Sequence, residues 1–154
     1  MVKYNKKIME LAIEEAKKSV LLGEGSPFGA VIVDRENNII ATGRNMMDKK
    51  FDVTSHGEIE AIRNATEKLK TLDLSGYILY SSAEPCPMCK SAILWAKIPV
   101  VYYGTSSDDG HREGFSDKFI YEELKGEANS EKVKYIQMDR NDAIEAYNLF
   151  RNKK

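Results

Sequence analysis

Cysteine and histidine are nearly missing from this chain, with two copies of each in 154 residues. Two cysteines cannot build a disulfide framework, so a reduced interior is expected. Long apolar runs are missing too. The longest, "YILYSSA" and "IPVVYYG", are strand-sized and far too short to span a bilayer. Neither sign of charge dominates: 23 Lys and Arg against 24 Asp and Glu leave a formal net charge of −1. That balance argues against a broad electrostatic footprint for nucleic acid or an anionic membrane. The opening "MVKYNKKIMELAIEEAKKS" carries lysines, but glutamates and a helical period follow. It is therefore not expected to be a signal peptide, and a cytoplasmic location is expected. No repeat, linker or low-complexity tract interrupts the 17.4 kDa chain, which suits a single domain over residues 1–154.

What is present is a regular alternation of helical and strand patterns. Ile8, Leu11, Ala12, Ala16, Val20 and Leu21 recur at helical spacing before the stop "GEGSP". "FGAVIVD" and "NIIATG" flank the polar turn "RENN" as a hairpin. "SHGEIEAIRNATEKLK" reads as a helix with Ile59, Ile62, Ala65 and Leu69 on one face and Ser55 as a candidate N-cap. The strand "YILYSS", the helix "CPMCKSAILWAK" with Pro87 at its first position, and the strand "VVYYG" follow. A helix at "SDKFIYEELK", a strand at "VKYIQM" and a closing helix at "DAIEAYNLFRNKK" complete the series. The order implies an α/β fold, a three-layer α/β/α domain around a mixed five-stranded sheet.

The scarce residues are not scattered. Both cysteines lie in "EPCPMCK", and one histidine opens the preceding helix in "SHGEIE". A C-x-x-C pair at a helix start fits three chemistries. It can be a redox couple, half of a structural zinc site, or half of a catalytic zinc site. A structural site needs a fourth protein ligand, and the spare histidine is His111 in "DDGHREG", which otherwise reads as a solvated loop residue. A catalytic site needs three ligands and a fourth position open to water. Cys86 at an N-cap and Cys89 one turn on can face one point beyond the helix end, where the helix dipole favours thiolates. His56 at a second helix start can meet them. Two thiolates offset the charge of Zn²⁺ and weaken it as a Lewis acid, so a nearby base, Glu58, would help to activate water.

His56, Glu58, Pro85, Cys86 and Cys89 together spell H-x-E…P-C-x-x-C, the signature of zinc-dependent nucleobase deaminases. With "GSPFGAVIVD", "ATGRN", "DVTSHGEIEAIRNA", "ILYSSAEPCPMCKSAILWA" and "GFSDKFIYEE" in order, the chain resembles the cytidine and deoxycytidylate deaminase superfamily from about residue 10 to its end. Within that superfamily it is most similar to bacterial guanine deaminases. The resemblance implies one zinc ion on His56, Cys86 and Cys89, with water as fourth ligand and Glu58 as proton shuttle. It implies that Asn45 hydrogen-bonds the ring, that Phe28 lines the base pocket, and that the backbone N–H of Gly57 meets a ring carbonyl. Trp95 matches an aromatic near that pocket, and is equally readable as core. Asp117 matches a carboxylate that approaches a purine, and is also readable as a helix N-cap.

The implied reaction is hydrolytic deamination of a free base, guanine to xanthine with release of ammonia. Two departures from the pattern bear on it. Gly57 stands where alanine is usual, and His-Gly-Glu is similar to fungal cytosine deaminases, so cytosine is the alternative substrate. Nucleoside and tRNA adenosine deamination come next, although "RNKK" is a slight basic surface for RNA. A non-catalytic zinc module would have no use for Glu58. The chain also ends "YNLFRNKK" without the terminal aromatic with which guanine deaminases reach a neighbouring subunit. A homodimer is nevertheless implied, with C-terminal exchange possible and Tyr147 or Phe150 as substitutes for that aromatic.

Overall fold

The computed structural model describes residues 3–126 and 132–153, and tertiary contacts divide the chain into two units, Met1–Tyr121 and Glu122–Lys154. The first unit begins with α1 (Lys6–Leu21), capped by the Asn5 side chain accepting from Lys7 N. The strands β1 (Gly29–Val33) and β2 (Ile39–Arg44) form the expected hairpin. The short α2 (Met47–Lys50) leads to α3 (Gly57–Leu69). Then come β3 (Ile78–Ala83), α4 (Pro87–Trp95) and β4 (Val100–Thr105). The six-residue α5 (Ser107–Arg112) and the start of α6 (Lys118–Leu124) end the unit. The second unit holds the rest of α6 and α7 (Arg140–Asn152).

The sheet runs β2-β1-β3-β4, antiparallel on both sides of β1 and parallel between β3 and β4. Every residue of β1 is buried, as a strand covered on both faces requires. Alternation along the strands feeds two cores. Val31, Val33, Ile78 and Tyr80 meet Ile8, Met9 and Ala12 of α1. Ala30, Ile32, Ala41 and Leu79 meet Ala61 and Ala65 of α3 and Ile93 and Ala96 at the α4 end. One helix on one face and two on the other make the three-layer α/β/α arrangement.

The sheet has four strands among the described residues, where five are expected from sequence. Residues 133–138, the "VKYIQM" segment, carry no strand pairing, and Val133, Tyr135, Ile136 and Met138 are all exposed. Ser55 is not the N-cap of α3 either: His56 holds that position, without a side-chain capping bond. The Ser55 hydroxyl is buried and turned instead toward Glu60 Oε1, 2.9 Å away.

Close approach of backbone fixes where α3 lies. A Cβ on Gly43 of β2 would stand 2.3 Å from Ala61 N and 2.4 Å from Gly57 O. Only a residue without a side chain lets β2 come so near the helix that carries His56 and Glu58.

Candidate active site

Two helix starts converge at one end of the sheet. Cys86 is the N-cap of α4 with Pro87 at the first position, and Cys89 follows one turn on, fully buried. His56 is the N-cap of α3. Its Nδ1 lies 3.5 Å from Cys86 Sγ and 3.5 Å from Cys89 Sγ, and all three ligand atoms are within 4.8 Å of one another. Tetrahedral zinc with Zn–S of about 2.3 Å and Zn–N of about 2.05 Å separates its sulfur and nitrogen ligands by roughly 3.6 Å. One nitrogen equidistant from two sulfurs therefore fits a shared ion, and no other such trio occurs among the described residues. His56, Cys86 and Cys89 could hold one zinc ion. The cysteines are free thiols, so the disulfide of a redox couple is not formed.

The surroundings act on the two thiols in opposite directions. A hydrogen bond from Cys89, with His56 adjacent, pulls the Cys86 thiol down to about 4. Cys89 is raised, first by that shared bond and then by burial. The nearby Cys86 sulfur raises the His56 imidazole against the effect of its burial. Burial pushes the Glu58 carboxyl up to about 7, and the Cys86 charge acts in the same direction.

A cavity of about 450 Å³ opens over these groups, within the size range of small-molecule sites. His56, Glu58 and Cys86 line one side, and Phe28, Asn45 and Met47 another. Ser106, Phe115, Asp117 and Ile120 close it from the α5–α6 segment. Phe28 and Phe115 meet edge to face with centroids 5.1 Å apart, which gives the cavity an aromatic wall.

Asn45 is held more firmly than its place after β2 suggests. Its N–H donates to Phe28 O at 2.9 Å and its carbonyl accepts from Ser19 Oγ at 2.9 Å. Its side-chain Oδ1 accepts from Ser26 N at 3.1 Å and Met47 N at 3.2 Å. The sequence suggests an amide offering both a donor and an acceptor. In the structure the acceptor is occupied, and among the described residues Nδ2 donates to no protein group.

Two other candidates stand apart from the cavity. Trp95 closes α4 at the end opposite Cys86 and is 85% exposed, so it is neither core nor part of this chain's cavity wall. Gly57 packs against β1 rather than lining the cavity: a Cβ there would sit 3.0 Å from Gly29 Cα. Its N–H, at the first position of α3, is one that the helix leaves unpaired.

Other residues support the site without a signal in the sequence. Glu84 accepts from Ser107 N at 3.1 Å and Lys90 Nζ at 3.0 Å, which ties the cysteine loop to α5 and α4. Asp117 directly precedes α6. Its carbonyl accepts from Ile120 N, while its carboxylate meets His111 Nε2 at 3.0 Å. His111 lies on α5 and is 27% exposed, which corrects its reading as a solvated loop residue. Only the six-residue spacing of the two hints at the pair.

Residues 2–105 match the family model of the cytidine and deoxycytidylate deaminase zinc-binding region. The chain is 38% identical to a guanine deaminase of Bacillus subtilis (strain 168) over 94% of its own length and 92% of that protein's. The X-ray structure of guanine deaminase from Bacillus subtilis superposes with a TM-score of 0.90 at 37% identity, covering 97% of this chain and 95% of that one. A guanine deaminase structure from Nitrosomonas europaea gives a TM-score of 0.71 at 30% identity, over 77% and 68% of the two chains. A tRNA-specific adenosine deaminase of Haemophilus influenzae is 41% identical, but over 67% of this chain and 59% of that protein.

Proposed function

The chain belongs to the cytidine and deoxycytidylate deaminase family, and from that premise we propose that it hydrolyses guanine to xanthine and ammonia. The observation that carries guanine is Asp117, which lines the same cavity as His56, Glu58 and Cys86. A carboxylate on the wall of the cavity that holds the ligand trio suits the N–H groups of a purine, whose second ring extends further from the reacting carbon than a pyrimidine does. The guanine deaminase of Bacillus subtilis, similar over nearly the whole chain, supports the same substrate. The cytosine alternative drew on Gly57, and close packing against Gly29 accounts for that glycine without reference to substrate.

Zinc on His56, Cys86 and Cys89 would supply Lewis acidity, making a water acidic enough to serve as nucleophile near neutral pH. Glu58, buried on the cavity wall, takes the proton of the attacking water and delivers it to the ring nitrogen beside the reacting carbon. The same carboxylate then carries the proton of the newly added hydroxyl to the amino group, and the C–N bond breaks to release ammonia as the carbonyl forms. Asn45 Nδ2 donates to an acceptor on the ring edge, and Phe28 and Phe115 flank the ring. The Gly57 N–H, left unpaired at the start of α3, is the donor to a ring carbonyl in this reading.

Asp117→Ala tests the reading. It should lower guanine turnover by about 10²-fold, the scale of a base misplaced by about 1 Å once its carboxylate contact is lost. Near-wild-type turnover would remove Asp117 from the reaction.

The same proposal extends to the organisation of the protein. Residues 1–154 work as one deaminase domain, cytoplasmic and paired as a homodimer, with exchange of the C-terminal segment as one form of that pairing. Leu72, Leu94 and Trp95 are each more than three-quarters exposed and supply apolar surface for a second copy. No described helix is long and apolar enough to cross a membrane. Sedimentation equilibrium of Trp95→Glu against the parent protein checks the pairing.

A further inference from the structure

We propose that His111 is a positioning residue for the reaction, holding the Asp117 carboxylate in the orientation that meets the base; this rests on the guanine reading above. The geometry is local and complete. His111 Nε2 lies 3.0 Å from Asp117 Oδ1, and carboxylate oxygens only accept, so Nε2 carries the proton of this bond. His111 Nδ1 points toward Asp108 Oδ1, 3.9 Å away, leaving the imidazole between two acidic side chains.

Chain turns bring the pair together. The capping box of Ser106 and Asp109 fixes the start of α5. Phe115 N donates to Gly110 O at 2.9 Å and Gly114 N to His111 O at 3.2 Å, folding the chain back beyond the helix. That return places Phe115 against Phe28 and Asp117 on the cavity wall, with His111 outside the lining. Asp117 is 15% exposed, and the bond from His111 Nε2 to its Oδ1 restrains its rotation. With Oδ1 engaged, Oδ2 is the oxygen left for the purine. A carboxylate free to rotate would spend most of its time out of reach, and misplacement by about 1 Å can cost on the order of 10²-fold in rate.

The test is a double-mutant cycle on zinc-loaded protein with guanine as substrate. His111→Ala should lower kcat by about 10- to 100-fold with KM changed far less. His111→Phe, which fills the space without donating, should match it. His111→Gln, whose amide can donate to Asp117, should recover most of the loss. In an Asp117→Ala background, His111→Ala should cost nothing further. Zinc content and melting temperature should stay at parental values throughout. The chain has only two histidines, so imidazole ¹⁵N spectra give a readout independent of turnover, and Asp117→Ala should shift the His111 signals.

Parental activity in His111→Ala, a full extra loss in the double variant, or His111 signals indifferent to Asp117→Ala would each overturn the assignment. Guanine inertness of the parent protein would overturn the substrate reading, and this inference with it. That outcome is distinct from an active parent with a silent His111.

Discussion

The hydroxyl of Ser55 donates to Glu60 Oε1 across 2.9 Å of buried space, directly beside His56. Lys50 Nζ at 2.8 Å and Arg63 Nη1 at 2.8 Å complete the surroundings of that carboxylate. Ser55 also accepts from Met46 N at 2.9 Å, so one small network ties α2 and the residue after Asn45 to the start of α3. The metal-facing histidine is thus anchored by groups that never touch the cavity.

Glu60→Gln should loosen that anchor and weaken zinc binding by about 10-fold or more, as removal of outer partners does elsewhere. It should also change acid sensitivity. Burial raises the Glu60 carboxyl, but the bonds from Lys50, Ser55 and Arg63 outweigh it and hold it below 4.5. A carboxyl depressed in the folded state stabilises fully above its unfolded value, and loses that contribution as pH falls through the folded one. Melting temperature should therefore fall below about pH 4.5 in the parent, and less steeply in the variant. Parallel curves would show that Glu60 carries none of the effect.

Gly43→Ala should destabilise by about 1–3 kcal/mol, because the atoms in the way are backbone and cannot rotate aside. The helix that must move is α3, so zinc affinity should fall together with melting temperature. Thermal scans with and without added zinc separate the two effects. A variant as stable as the parent would mean that β2 and α3 are less closely apposed than described.

Asn45→Asp keeps the oxygen that accepts from Ser26 N and Met47 N, and replaces the donating amide with a second acceptor. The fold should hold while kcat/KM falls by ~10²-fold, the scale of an unpaired charged group facing its partner. Equal loss in stability and activity would place Asn45 in the scaffold alone. Circular dichroism melting beside steady-state kinetics decides it.

The metal trio was legible in the sequence because its information is local. Two cysteines one helical turn apart after a proline, and a histidine at another helix start, need only the βα order to meet. The hairpin and the helix faces were legible for the same reason. What failed depended on contacts that periodicity does not carry. Val133, Tyr135 and Ile136 are β-branched or aromatic and read as a strand, but composition alone does not make a pairing. Ser55 has the composition of a cap, yet the nearby Glu60 competes for its hydroxyl. Trp95 carries the apolar character of a core residue, and its place at the helix end leaves it outside both core and cavity. His111 and Asp117 meet only because Gly114, at φ +90°, helps to turn the chain back, and composition alone does not encode that turn.

The central claim is that this cavity deaminates a free purine base. Ammonia release by zinc-loaded protein from guanine, cytosine, guanosine and adenosine in parallel tests it most directly. The account predicts release from guanine, abolished by removing zinc, with little from the other three. Preferential release from cytosine would contradict it, and would return Asp117 to a structural role.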